Sequence, residues 1–417
     1  MKTIIVGGGI VGVTAAYYLA KEGIEVTLLE GQPELALDAS AGNAGLIAPG
    51  HSFAWASPSA PGMMIKSLFG TQSAIRVRWP LEPRFIAWGL RFLRECTAGR
   101  ARSNSLVKLS LSQYSQALLE NVISAEGIDC HYQRGGVVYL YRSPRELAEG
   151  IAKMQLVRDH GQKMVVLTPS ELGELEPALR DATGEFAGGI LGLTDTTANS
   201  VLFAHAIADK ARELGVEIRL GTPVEALLGD RRRVTGVQTS HGELLADAVV
   251  VAAGAHSPQL MKGLGINLPV YPAKGYSLTI PVISERDAPQ IGGLDERTLV
   301  AWSRMGDQLR MSSTAEFAGF NPTVSRSAIH HILTIGKELF PGAADWDQAV
   351  VRTAFRPMTP AGPPIIGASK VRNLYYNTGH GHMGWTMACG SAQILADQLL
   401  GRTSAIDTSG FAPKASQ

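Results

Sequence analysis

Hydrophobic residues open the chain in a short run, Thr3 to Val6, followed at once by three glycines and then by a stretch from Ile10 to Ala20 that is almost wholly apolar. A second apolar run covers 25–29. Two short runs around a longer one predict a strand over 3–6, a helix to about Glu22 and a strand over 25–29, a β-α-β unit. From about 40 to 105 the pattern loses its period among prolines, glycines and tryptophans, and no element is assigned there. The period returns as a helix over 104–126, a strand over 136–141 and a helix over 144–161, opened by Pro144 as helix starts favour.

From about 186 the texture changes. A strand over 188–193, a helix over 199–214 and a strand over 216–220 precede a meander over 224–228, 234–239 and 243–252. The segments 269–281, 299–303 and 309–313 alternate as antiparallel strands do. A helix over 325–339 follows, and the chain closes on two short strands and a helix over about 383–400, ended by Gly401. Helix-strand alternation at both ends, with antiparallel strands between, predicts an α/β fold: a Rossmann-like nucleotide-binding domain interrupted by an α+β, antiparallel-sheet domain.

Charge and cysteine narrow the function classes. Lys and Arg number 38 against 37 Asp and Glu, a formal +1, so neither nucleic-acid binding through net charge nor acidic disorder is expected. Charged residues are 18% and hydrophobic ones 45%, enough for a large core. Cys96, Cys130 and Cys389 are an odd, scattered set without C-x-x-C, which argues against a disulfide framework or a zinc site and suits a cytoplasmic protein. Thr3 to Ala20 lacks charge, but its glycines and its strand-like start fit neither a signal peptide nor a membrane span. Glycine is the anomaly: 46 residues, where usage of about 7% would give fewer.

The glycines cluster. Gly7-Gly8-Gly9-Ile10-Val11-Gly12 fits G-x-G-x-x-G, between a predicted strand and a helix. The first glycine permits the turn, the second lets backbone approach a pyrophosphate, and the third lets helix pack on strand. The helix N-terminus faces the phosphates with unpaired N–H groups. Glu30 ends the second strand, where a ribose-binding acid belongs. The motif alone separates no dinucleotide from another. Two further glycine sites, Ala253-Gly254 after the 249–252 run and the Gly379 to Thr386 stretch that opens the last helix, suit a flavin. There backbone N–H groups of the late helix would face the N1–C2=O edge of the ring.

On these residues the chain resembles the D-amino-acid oxidase class of FAD oxidoreductases, and within it the bacterial D-amino acid dehydrogenases of small-subunit type. The matching stretches are IIVGGGIVGVTAAYYLA at the start, SAGNAGLIAPG at 40–50, YPAKGYSLTIP at 271–281, RPMTPAGPPIIG at 356–367 and NTGHGHMGWTMACGS at 377–391. The resemblance implies FAD held by Gly7, Gly9, Ile10, Val11, Gly12 and Glu30; by the loop of Ser40, Asn43, Ala44, Gly45 and Leu46; by Val224 at the adenine end; and by Ala253, Gly254, Gly381, Met383, Gly384, Trp385 and Thr386. Leu46 departs from the polar residue that relatives often carry. The implied domains are an FAD-binding one over 1–100, 186–265 and 345–417, and a substrate-binding one over 101–185 and 266–344.

The implied reaction is oxidative deamination of a D-amino acid, by hydride transfer from Cα to the flavin, with electrons passed to a quinone-type acceptor. Arg356 then matches the carboxylate clamp, since a planar guanidinium suits a carboxylate. Tyr276 is the expected second contact, His380 lies in the flavin loop, and His51 with Trp55 is placed to line the entrance. Segment 63–102 carries Lys66, Arg76, Arg78, Arg84, Arg91, Arg94, Arg100 and Arg102 against Glu82 and Glu95, interleaved with Met63, Met64, Trp79, Phe85, Trp88 and Phe92. That composition suits either an interfacial membrane surface, on the inner face of the cell membrane, or a basic helix packed on the core. Two alternatives stay open: oxidation of cyclic or N-substituted amines such as D-proline, and a non-catalytic flavin subunit or tRNA-modifying flavoenzyme.

Overall fold

The computed structural model describes residues 1–69, 75–77 and 82–412. Lys2–Val6 forms the central strand of a six-stranded sheet, paired in parallel with Glu25–Leu29 on one side and Ala248–Val251 on the other. Glu217–Arg219 extends the sheet at one edge, and Leu374–Thr378 with the antiparallel Ile365–Ala368 extends it at the other. The expected 243–252 strand is therefore two elements. Gly242–Leu245 closes a small three-stranded hairpin sheet, while the Val249 to Val251 run, buried on both faces, joins the parallel sheet.

The first helix, Ile10–Lys21, packs against Ser200–Glu213 and Gly384–Leu399. It is apolar all round because it is covered all round: Ile10 and every residue from Gly12 to Ala20 are buried.

A second sheet of nine strands stands beside the first. Its order runs Val350–Met358, Tyr271–Pro281, Gln308–Phe317, Val300–Met305, Gly292–Asp295, Val137–Tyr141, Gly188–Gly192 and Met164–Leu167, and Ile75–Val77 pairs with Gln308–Phe317. Two strands thus differ from the sequence expectation. Gly188–Gly192 and Val350–Met358 were expected with the nucleotide-binding half, yet both are hydrogen-bonded into the nine-stranded sheet. Chain order misled there, because the connections between the two sheets run in both directions.

The stretch without a predicted element holds two helices, Ala60–Phe69 and Pro83–Glu95, and the long helix begins at Ala98. Pro83 opens one, and Thr97 caps the next by accepting from the Arg100 amide. Phe85, Trp88 and Phe92 fall on one face of Pro83–Glu95 and bury against Tyr271, Ala315 and Phe317. Each such buried side chain contributes about 1.5–3 kcal/mol relative to exposure.

Candidate active site

Between the two sheets lies one large cavity of about 1510 Å³. At one end stands the glycine turn. Gly7 adopts φ +113°, and a Cβ there would lie 2.7 Å from the Ala252 carbonyl. A Cβ on Gly12 would lie 1.9 Å from the Gly7 carbonyl oxygen, so the third glycine is required by helix-strand contact. Gly7, Gly9, Ile10 and Val11 line the cavity, whereas Gly12 supports the turn from behind. The Glu30 carboxylate accepts from the Gly8 amide at 2.6 Å and the Gln32 amide at 2.8 Å, and keeps lone pairs for another donor. Val224, Ala253 and Gly254 line the same arm.

The 40–46 loop forms the middle wall and is tied to both sheets. Ser40 Oγ accepts from the Ile10 amide at 2.9 Å, and Asn43 Nδ2 donates to Ser200 Oγ at 2.6 Å. From the other side Ser303 Oγ donates to the Ala44 carbonyl at 2.6 Å, and Arg310 donates to the carbonyls of Ala41 and Asn43. Ser40, Asn43, Ala44 and Leu46 line the cavity; Gly45, at φ +77°, makes the turn against Ser303 and Met305.

The last helix points its N-terminus into the cavity, with Gly381, Met383, Gly384, Trp385 and Thr386 in the wall. The Thr386 hydroxyl already accepts from the Ala48 amide, and the Trp385 indole Nε1 is buried without a hydrogen-bond partner. His380, a candidate catalytic residue from the sequence, lines the cavity. Its Nε2 pairs with Ser391 Oγ at 2.9 Å inside the helix, and burial pushes its pKa down to about 3, so the ring stays neutral and shapes the turn.

Arg356 reaches the cavity from Val350–Met358. Its Nη1 donates to the Thr314 carbonyl at 2.6 Å, no carboxylate pairs with it among the described residues, and burial lowers its pKa to about 10. It remains charged at neutral pH, a half-buried cation facing the cavity without a counter-ion among the described residues. Tyr276 is not beside it. That ring lies on the other face of the strand, fully buried in the sheet's core, and its hydroxyl donates to Glu316 at 2.6 Å. Gly275, one residue earlier, is the position facing Arg356.

The opposite wall is also charged. His51 stacks on Tyr139 and pairs with Glu296 at 2.9 Å, with Lys153 3.7 Å from the same carboxylate. Burial opposes ionisation of Glu296, but Lys153 and His51 outweigh it and hold its pKa at about 2. Trp55 stacks on His382, whose Nε2 is buried without a partner. Burial, reinforced by Lys108, His51, Arg356 and Lys153, pushes His382 well below its ordinary value.

Residues 2–398 match the family described as FAD dependent oxidoreductase. Over 412 residues the chain is 43% identical to D-amino acid dehydrogenase 2 of Mesorhizobium japonicum, covering 99% of each, and over 399 residues 38% identical to D-amino acid dehydrogenase of Vibrio cholerae, covering 96% and 95%. The chain belongs to the FAD-dependent oxidoreductases. Among solved structures, glycine oxidase from Geobacillus kaustophilus superposes with a TM-score of 0.75 at 23% identity, covering 100% of this chain and 98% of that one. The L-proline dehydrogenase from P. horikoshii gives 0.75 at 18%, covering 99% and 96%. These two likenesses show the fold.

An FAD oxidoreductase of this fold has to hold an extended dinucleotide, and the cavity fits one. The glycine turn, which a Cβ would fill, suits the pyrophosphate; Glu30 suits a ribose; the unpaired amides at the start of the last helix and the unpartnered Trp385 Nε1 lie where the ring edge belongs. Three residues of the wall, Glu296, Lys153 and Thr314, were not singled out in the sequence, nor was Lys108, which borders a small adjoining cavity beside His382. Lys108 is buried on the long helix, its pKa lowered to about 7 by burial, and its Nζ donates to the Phe53 carbonyl at 2.7 Å. A lone lysine in a helix gives no sequence signal of burial.

Proposed function

We propose that this oxidoreductase oxidises D-amino acids to 2-oxo acids and ammonia and delivers the electrons to a quinone-type acceptor at a membrane surface. The observation that carries the substrate class is Arg356, a half-buried guanidinium with no counter-ion among the described residues, in the same cavity as the proposed flavin-binding walls. A substrate carboxylate supplies the missing charge, and the planar fork fixes its orientation and with it the position of Cα. FAD, when bound, supplies the acceptor for the Cα hydride. The neutral His380 ring adds no charge to the cavity, and Ala315 and Phe317 contribute apolar surface to its wall. The names of the curated relatives support the D configuration. Anaerobic mixing with a panel of D- and L-amino acids, D-proline included, tests the reading. Bleaching of bound flavin by primary D-amino acids is expected, and bleaching by cyclic amines or L-amino acids alone would overturn it.

The acceptor side rests on Pro83–Glu95. Ile86, Leu90 and Leu93 share its outer face and are 52%, 57% and 49% exposed, beside Arg91 and Arg94, while the inner face presents Trp88 and Phe92 to the cavity. An exposed apolar stripe edged by arginines suits the interface of an anionic membrane, consistent with a cytoplasmic enzyme on its inner face. Arg78 and Trp79, and the side chains of Lys66, Ile65, Leu68 and Phe69, lie outside the described residues. No described helix is long and apolar enough to cross a membrane. Salt-sensitive co-sedimentation with anionic liposomes, weakened by Arg84→Glu/Arg91→Glu, is expected; a wild type that ignores such liposomes at low salt refutes this part.

A further inference from the structure

Tyr276 was the expected second contact to the substrate carboxylate, and its burial leaves that place open. The strand pairing next to Arg356 is irregular. Lys274 stands opposite Glu316 and Tyr276 opposite Ser313, so two steps along one strand match three along the other. Thr314 and Ala315 together face Gly275, a β-bulge. Thr314 is its left-handed residue, with φ +63°. That conformation is rare for a β-branched side chain, whereas glycine adopts it freely.

The bulge does two things. It turns the Thr314 carbonyl toward Arg356, whose Nη1 donates to it at 2.6 Å. It also carries the Thr314 side chain into the cavity wall, where Oγ1 is buried and has no hydrogen-bond partner. A buried hydroxyl left unpaired is costly and calls for a partner. Ser313 Oγ is equally unpartnered and lines the same cavity, but Ser313 stands opposite Tyr276 and not opposite Gly275, the residue against which Arg356 lies. Glycine at 314 would make the same turn without strain and hold Arg356 through the same carbonyl. The hydroxyl is what threonine adds.

We infer that Thr314 is a substrate-binding residue, its hydroxyl donating to the carboxylate that Arg356 holds. The inference rests on the reading of Arg356 as the carboxylate clamp, and it names the second ligand of that carboxylate. It also assigns the strained backbone a purpose: one residue positions the guanidinium with its main chain and completes the site with its side chain.

The test needs no turnover. Pyruvate, a simple 2-oxo acid, is titrated into the FAD-loaded protein, and its dissociation constant is read from the perturbation of the flavin absorbance. Thr314→Val is expected to weaken pyruvate binding about ten- to a hundredfold, the usual effect of losing a hydrogen bond to a charged group. Thr314→Ser keeps the hydroxyl and is expected to bind within a few-fold of wild type. Thr314→Gly is expected to melt at an equal or higher temperature than wild type while binding pyruvate as weakly as the valine variant. A gain in folding stability together with a loss of binding is a split that a merely structural role does not produce. Wild-type affinity in either Thr314→Val or Thr314→Gly overturns the inference. Arg356→Met is the control: if it binds pyruvate normally, the clamp itself is wrong and Thr314 falls with it. If it binds weakly while Thr314→Val does not, only Thr314 falls.

Discussion

The guanidinium of Arg356 lies against the bare Cα of Gly275: a Cβ placed there would come within 2.5 Å of Arg356 Cζ and 2.6 Å of both terminal nitrogens. An arginine that no carboxylate among the described residues neutralises is therefore positioned by an absent side chain. Gly275→Ala is expected to displace Arg356 and raise the KM for amino-acid substrates at least tenfold, in line with about 1.5–3 kcal/mol for a hydrogen-bonded charge. FAD affinity should change less than substrate affinity, because the atoms nearest a Cβ at Gly275 all belong to Arg356. Steady-state kinetics alongside flavin titration of the apoprotein checks both halves.

Gly12 governs the cofactor rather than the substrate. Its Cβ would overlap the Gly7 carbonyl, which helix and strand can relieve only by separating. Gly12→Ala is expected to destabilise the fold by about 1–3 kcal/mol, as overpacking does. The purified protein should also carry little flavin. The ratio of flavin to protein absorbance, with thermal melting of the apoprotein, measures each effect.

Acid should unfold the protein partly through His380. In the fold its pKa is near 3, because burial disfavours the cation, whereas an unfolded chain titrates near the ordinary value of about 6.5. Between these values the unfolded state binds one more proton than the native state, so stability falls as pH falls, by about 1.4 kcal/mol per unit at most. Above about pH 6.5 the group contributes no slope. His380→Gln, which can still hydrogen-bond Ser391, should remove one proton from the slope of unfolding free energy between pH 4 and 6. Denaturant titrations at stepped pH would show it, and an unchanged slope would count against a neutral buried ring.

Lys108 acts at the other end of the pH scale. Burial lowers its pKa to about 7, while the unfolded side chain titrates near 10.4. Between the two the unfolded state again binds the extra proton, so stability rises with pH from about 7 to 10. Lys108→Met should flatten that rise, measured by the same titrations in alkaline buffers.

Arg310 joins the nine-stranded sheet to the 40–46 loop through the carbonyls of Ala41 and Asn43. Arg310→Met is expected to loosen the loop and raise the FAD dissociation constant about tenfold or more, the scale for losing hydrogen bonds from a charged donor. Recovery of flavin fluorescence on dilution reports the change.

What the sequence discloses here follows from how locally each feature is determined. The glycine turn was legible because backbone approach and helix-strand contact demand glycine at fixed spacings, and Gly7 and Gly12 meet those demands in the structure. Arg356 was legible only through the resemblance of its surrounding stretch. Tyr276 was misplaced because alternation along a strand says which residues share a face and not which face meets the cavity. The bulge at Thr314 was hidden for a related reason, since it depends on pairing between distant strands. Glu296 and Lys153 gave no signal, as their meaning comes from His51, far off in the chain. The Pro83–Glu95 helix was lost among prolines and glycines, although Phe85, Trp88 and Phe92 carry its period.

The loop over 40–46 is held by Ser40 to the parallel sheet's first helix and by Ser303 and Arg310 to the other sheet. A ligand seated against that loop binds the folded arrangement of both sheets and not the unfolded chain, so by mass action it stabilises them together. At a free FAD concentration a hundredfold above its dissociation constant the gain is about 2.7 kcal/mol. The apparent melting temperature is then a property of the flavin supply as much as of the polypeptide, and variants of this loop should be compared only at a stated FAD concentration.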